Sequence, residues 1–212
     1  MTRVRLHTLP IRVWHWVNAF LIVFLVLTGV QLRAPELRLF GNYANAVWLH
    51  KYAGFAATGS FVFWVAYVLS TGALWRHYLL RPSDVKRMPK QAAFYGFTLF
   101  RGAENPFKPS PANKFNAMQK LAYFSMMTVV TPVVVITGIL FSDILYFHTY
   151  IEAIGGLRVL DAIHVVAAYF FLLYLLVHLY MATMGHTIFD HFKAMIVGYE
   201  EEPDVEKHPD PQ

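Results

Sequence analysis

Polar positions along this chain gather into blocks, and four long apolar stretches lie between them. They run from about residues 11 to 32, 47 to 69, 121 to 141 and 157 to 184. Each is close to or above the roughly 20 residues that a helix needs to cross a bilayer. The pattern predicts an all-α fold, an integral membrane four-helix bundle in one domain over residues 1–199. A long polar connection, residues 72–120, separates the second span from the third, and an acidic, proline-containing tail, residues 200–212, follows the last. The tail is expected to be disordered or ordered by a partner. Within the connection, residues 84–100 form a candidate interfacial helix whose Phe94, Tyr95, Phe97, Leu99 and Phe100 suit a headgroup boundary, with Pro89 interrupting its first turns. Residues 105–112 hold three prolines and are expected to loop. No internal repeat is evident.

Composition agrees with a lipid environment. The chain is 57% hydrophobic and 15% charged, where soluble domains are about 45–50% apolar and about 25% charged. The apolar start is not expected to be a signal peptide, because Arg12, Trp14, His15 and Asn18 break its pattern and no small-residue cleavage site closes it. Charge is unevenly placed. The N-terminal arm carries Arg3, Arg5 and Arg12, and the long connection carries Arg76, Arg81, Lys86, Arg87, Lys90, Arg101, Lys108, Lys114 and Lys120 against Asp84 and Glu104. The loops after the first and third spans hold few cations. By the positive-inside rule, both termini and the connection are expected in the cytoplasm and the two short loops on the outer side. The formal charge of +5 thus reports topology and gives no reason to expect nucleic acid.

The chain has no cysteine. That excludes disulfides, an iron–sulfur cluster held by this chain and covalent c-type haem attachment. Histidine is the remaining candidate ligand. His164 and His178 are fourteen residues apart in the fourth span. Fourteen helical residues return to within about 40° of one face roughly 21 Å further on. One helix face therefore carries two imidazoles at different depths, and imidazole is both a strong axial ligand for haem iron and costly to bury alone. The topology places His15 and His178 at an inner level and His50 and His164 at an outer level. This is the arrangement that two stacked b-type haems require, with His15 and His178 on the inner iron and His50 and His164 on the outer. Gly29 falls at the depth of the outer pair, Gly54 is one turn after His50, and Gly138 lies in the third span; small residues are needed where a porphyrin approaches a helix. Arg12 and Lys120 are near the inner surface, where propionates need cations. His7, His148, His186, His191 and His208 lie at span ends or in loops and are expected to be interfacial or solvated.

Four motifs carry a family resemblance: R-V-W-H-W-V-N at residues 12–18, H-K-Y-A-G-F at 50–55, K-F-N-A-M-Q-K-L at 114–121 and H-L-Y-M-A-T-M-G-H-T at 178–187. The chain resembles the di-haem cytochrome b subunits of bacterial respiratory enzymes. Nearest are the gamma subunit of formate dehydrogenase and the cytochrome b subunit of thiosulfate reductase, and more distant are the membrane cytochromes of nickel–iron hydrogenases. The resemblance implies the same histidine pairing. It further implies a quinone site beside the inner ligand histidine, carried over to Asn116, the backbone amide at Met118, and His178. The position of Met118 is often glycine in that family, which alters the pocket's shape here. Gln119 and Lys120 lie in the same mouth. The implied role is an electron conduit in the bacterial cytoplasmic membrane, joining an outer iron–sulfur subunit and a catalytic subunit to menaquinone or ubiquinone on the cytoplasmic side. Two other classes stay open on the residues alone: a stand-alone b-haem quinone oxidoreductase using a small diffusible donor, and a divalent-metal transporter.

Overall fold

The computed structural model describes residues 2–5, 7–103, 105–107, 115–183 and 189–202. After a short strand β1 (Thr2–Arg5), the first span is α1 (Leu9–Arg33) and the second is α2 (Tyr43–Ser70). Pro10 sits in the first turn of α1, where its missing N–H costs nothing and its fixed φ suits a helix start. Asn42 caps α2, accepting the Asn45 N–H at 2.8 Å. The connection folds as α3 (Pro82–Ala93) continued by a π turn at Phe94–Thr98. The helix runs through Pro89, so the expected interruption does not break it.

The third span is built in three parts: α4 (Ala117–Ser125), a π turn at Met126–Val130, and α5 (Thr131–Ser142). Pro132 explains the irregularity. It cannot donate to the backbone, and its ring crowds the carbonyl one turn earlier, which widens the preceding turn. A short helix α6 (His148–Ala153) leads into the fourth span, α7 (Leu157–Ala182); α8 (Asp190–Val197) and a strand β2 (Tyr199–Glu202) follow. Among the described residues four helical stretches, Leu9–Arg33, Tyr43–Ser70, Ala117–Ser142 and Leu157–Ala182, are long and apolar enough to cross a membrane. The molecule is an all-α membrane bundle, with one two-stranded clasp added at the chain ends.

That clasp pairs β1 with β2 antiparallel, Thr2 opposite Glu202 and Arg5 opposite Tyr199. The Arg12 guanidinium also donates to the Ile196 carbonyl, and the His7 N–H reaches the Gly198 carbonyl at 3.3 Å. The two strands therefore share one end of the bundle with α3 and the start of α4. The two short loops share the other. Residues 200–202 of the acidic tail belong to β2, and 203–212 lie outside the described residues, as do His186 and His208.

Packing is arranged for lipid. Large apolar side chains such as Phe20, Val62 and Leu173 are 58–68% exposed in the isolated chain, while polar Thr28 and Gln31 are fully buried. Water would favour the reverse. Buried polar groups on the helix interfaces then need partners: Asn18 donates to Ser60 Oγ at 2.6 Å and Trp14 to the Ser60 carbonyl at 3.0 Å, joining α1 to α2. At the loop end, Gln31 donates to the Gly41 carbonyl at 3.0 Å and accepts the Phe40 N–H at 2.7 Å. Arg33 forks onto both oxygens of Asp161 at 2.8 and 2.7 Å, tying α1 to α7. Lys51 closes onto the Ser142 carbonyl at 2.7 Å, tying α2 to α5.

At the termini end one ion pair is fully enclosed. Lys120 Nζ lies 2.8 Å from Asp84 Oδ2, and the two residues are 1% and 4% exposed. It fastens α3 to the start of the third span. Burial pushes the Asp84 carboxyl up, but the hydrogen bonds from Lys120 and the Arg81 N–H, with the charges of Lys120 and Arg81, hold it below its ordinary range. The stabilisation is therefore complete at neutral pH and is lost as pH falls below about 4, when the carboxyl takes a proton. Asp84→Ala strands a buried ammonium and should cost about 3–5 kcal/mol, whereas the double change Asp84→Leu with Lys120→Met should recover most of it. Thermal unfolding in detergent checks both; equal losses in the single and double variants would contradict this.

Candidate functional site

The four span histidines meet in two pairs. His15 stands six residues into α1 and faces His178, near the end of α7, with ring centroids 6.0 Å apart at an interplanar angle of 54°. His50, in the first half of α2, faces His164 on α7 with centroids 6.3 Å apart. The first pair lies at the termini end, the second at the loop end. Along α7 the levels are about 21 Å apart.

Each loop-side imidazole is held twice. His50 Nδ1 is 2.8 Å from Thr28 Oγ1, and His164 Nδ1 is 2.7 Å from Thr137 Oγ1. The residue after each threonine is glycine. A Cβ placed on Gly29 would lie 3.5 Å from His50 Cε1, and one on Gly138 would lie 3.6 Å from His164 Cε1. Phe141 also meets His164 edge-on at 5.6 Å. The termini-side pair is built otherwise. Trp16 packs edge-on against His15 at 5.2 Å, Tyr174 stacks on His178 at 5.8 Å and 12°, and His15 Nδ1 is buried without a hydrogen-bond partner among the described residues. Arg12 Nε, one turn before His15, is likewise buried with no partner among the described residues.

Several other expected residues sit where the structure gives them a local job. Asn116 caps α4: its Oδ1 accepts the Gln119 N–H at 2.9 Å, Gln119 Oε1 accepts the Asn116 N–H at 3.1 Å, and Asn116 Nδ2 donates to the Tyr95 hydroxyl at 2.8 Å. Met118 is half-buried in the same turn. Lys120 is committed to Asp84. Gly54 meets nothing that a Cβ would touch within 4 Å. A tyrosine cluster joins this region to the termini-side pair: Tyr78 lies 6.4 Å from Tyr123, and Tyr123 lies 6.3 Å from Tyr174, which stacks on His178. Hydropathy gives these tyrosines, and Thr28 and Thr137, no special status. The repeated Thr-Gly dipeptide at 28–29 and 137–138 is the available signal for the threonines.

Two opposed imidazoles define what the pairs can hold. Metal–imidazole bonds of about 2 Å on opposite sides of one ion put the ring centroids roughly 6 Å apart, as both pairs show. A bare divalent ion bound tetrahedrally seeks four protein ligands. No group of three or more His, Cys, Asp or Glu side chains that could hold a metal ion occurs among the described residues. Two imidazoles with no further protein ligand among the described residues would suit haem, whose porphyrin supplies the iron's other ligands. At the termini-side level, His15 Nδ1 and, one turn earlier, Arg12 Nε are buried with no hydrogen-bond partner among the described residues. The residues present therefore fit a haem-holding membrane bundle.

Sequence comparison agrees. The family model of prokaryotic cytochrome b561 matches residues 6–198. The chain is 32% identical over 203 residues to the "Putative cytochrome YdhU" of Escherichia coli (strain K12), covering 93% of this chain and 74% of that protein. It is 41% identical over 69 residues to the "Probable Ni/Fe-hydrogenase B-type cytochrome subunit" of Cupriavidus necator, covering 32% of this chain and 26% of that one. The chain belongs to the prokaryotic cytochrome b561 family and is a multi-pass, b-haem electron-transfer protein of the membrane.

The glycines make a graded test. Contacts of 3.5–3.6 Å are ordinary packing distances, so Gly29→Ala and Gly138→Ala should keep the wild-type visible spectrum per mole of protein. Gly29→Leu and Gly138→Leu should displace His50 and His164 and lower haem content. Unchanged haem in the leucine variants would show that the histidines do not depend on this close approach.

Proposed function

We propose that this chain is the di-haem membrane subunit of a bacterial respiratory oxidoreductase, carrying electrons between a catalytic partner on the outer face and quinone on the cytoplasmic side. The observation that carries this reading is the double pairing of His15 with His178 and His50 with His164 at two levels of one bundle. When bound at each level, the iron porphyrin supplies one-electron transfer with little change in geometry. The chain's own residues do the rest. Four imidazoles from α1, α2 and α7 fix the two planes, and the lipid-facing spans keep water from the intervening layer.

At the inner mouth, Arg12 offers a guanidinium for a propionate, a role its buried Nε supports. Quinone reduction takes two protons as well as two electrons, so its site needs hydroxyl or amide donors next to the inner pair. Family resemblance assigns that site to Asn116, Met118 and Gln119 at the start of α4, together with His178. Tyr123 and Tyr174 connect that turn to His178 and supply phenolic donors along the same path. Lys120 acts through Asp84, holding α3 against this mouth.

The absence of cysteine requires that any iron–sulfur relay belong to a partner. The hydrogenase-type relative, named as a cytochrome subunit, supports a multi-subunit setting. Basic residues on the connection favour the cytoplasm for that end and for both termini. The partner's substrate sets the direction of flow. A metal-transporter reading loses support from the two-ligand character of both pairs.

The test is haem content by pyridine haemochrome in purified variants. Wild type should bind two b haems per chain, and His50→Ala or His164→Ala should bind one, with the inner haem still reducible. A His50→Ala chain that keeps two haems would contradict the pairing.

A further inference from the structure

We propose that Thr28 and Thr137 are positioning residues that fix His50 and His164 as their Nδ1–H tautomers, leaving Nε2 of each ring as the one nitrogen able to bind iron. The inference rests on reading the loop-side pair as a haem site.

A hydroxyl has one hydrogen to give. Thr28 Oγ1 lies 2.9 Å from the Phe24 carbonyl and 3.1 Å from that of Leu25. Thr137 Oγ1 lies 2.7 Å from the Val133 carbonyl and 3.2 Å from that of Val134. A carbonyl only accepts, so in both residues the hydroxyl proton has an acceptor on the backbone of its own helix. The same oxygens lie 2.8 Å from His50 Nδ1 and 2.7 Å from His164 Nδ1. With its proton given there, each oxygen accepts, and each Nδ1 donates. The opposite arrangement turns the hydroxyl proton onto Nδ1 and puts an N–H on Nε2. An N–H on Nε2 would close the other ring nitrogen to iron, so a pair that holds haem takes the arrangement with the proton on Nδ1.

The glycine after each threonine completes the support. At Gly29 and Gly138 the space a side chain would claim comes within 3.5 and 3.6 Å of Cε1 of the supported ring. The hydroxyl therefore meets Nδ1, and the glycine leaves the next ring atom, Cε1, clear of any side chain. The unit occurs twice, from the first span onto the second and from the third onto the fourth. Thr28 is 0% and Thr137 is 5% exposed, so water does not compete for either bond. The termini-side level lacks this unit at His15, whose Nδ1 has no partner among the described residues. The two levels therefore differ in what stands behind the ligands.

A ligand imidazole that donates its second N–H to an oxygen is more basic and better oriented than one that does not. Losing the acceptor weakens the ligand toward oxidised iron in particular. Thr28→Val and Thr137→Val keep the branched shape and remove only the oxygen. In purified full-length protein we expect roughly 10–100-fold weaker haem retention at the loop-side level, and a more positive midpoint potential for that haem alone. The low-spin electron paramagnetic resonance signal of that haem should also shift. Thr28→Ser and Thr137→Ser restore the oxygen and should return all three readings to wild type. Loss of the loop-side haem in a valine variant, with the other haem kept and with rescue by serine, supports the proposal equally. Unchanged potential and retention in both valine variants would overturn it, as would a loss of both haems alike or a loss that serine does not rescue. A wild-type chain with no haem at the loop-side level would instead overturn the haem reading beneath it.

Discussion

An imidazole inside a bilayer has two nitrogens and no water to satisfy them. That requirement organises this molecule more than any other. Four histidines enter the apolar layer, and each must meet something at both ring nitrogens or remain a standing cost. At the loop end the bundle answers with threonine hydroxyls behind the rings, and the other nitrogen of each ring is left for a bound ion. At the termini end Trp16 packs edge-on against His15 and Tyr174 stacks on His178, and His15 Nδ1 has no partner among the described residues. The centroid spacings of 6.0 and 6.3 Å across the pairs then read as room for a ligand-bound ion between two nitrogens.

The rest of the architecture holds those rings still. The spans are apolar outward and polar in a few inward places, so hydrophobic burial in water cannot be what holds them together. Specific ties at the ends take over: the Arg33–Asp161 fork and the Lys51 cap at one end, the enclosed Asp84–Lys120 pair and the β1–β2 clasp at the other. Exposed pairs such as Arg33–Asp161 contribute little in water. The Asp84–Lys120 pair is of a different kind, because breaking one half leaves a charge with nowhere to go. Its position beside the Asn116 cap links the geometry of the connection to the termini end of the bundle.

The spans are legible in the sequence because an apolar run of about 20 residues matches the thickness of a bilayer and exceeds what most water-exposed helices carry. The pattern places the first at about residues 11–32, and it runs Leu9–Arg33; it places the fourth at 157–184, and the helix is described as Leu157–Ala182. Histidine depth is equally readable, because helical rise converts residue number into distance. Features made by long-range contact are not. By position alone Lys120 is a cation free for a propionate, but its partner is 36 residues away and sequence spacing carries no trace of that pairing. The β clasp joins two four-residue polar segments from opposite ends of the chain, too short for an alternating pattern to show. Depth singles out the glycines but not the threonines beside them. A hydroxyl in an apolar run looks ordinary until its neighbour is known. Asn116 stands out by resemblance, but its capping bonds to Gln119 and Tyr95 depend on how the turn closes.

Haem stoichiometry combined with electron paramagnetic resonance of the oxidised, purified chain addresses the two-level arrangement without any mutation. The account predicts two b haems per polypeptide and two distinct low-spin, bis-imidazole signals. One haem per chain, a high-spin iron signal showing an open axial position in the native protein, or a colourless chain after expression with ample haem would contradict it.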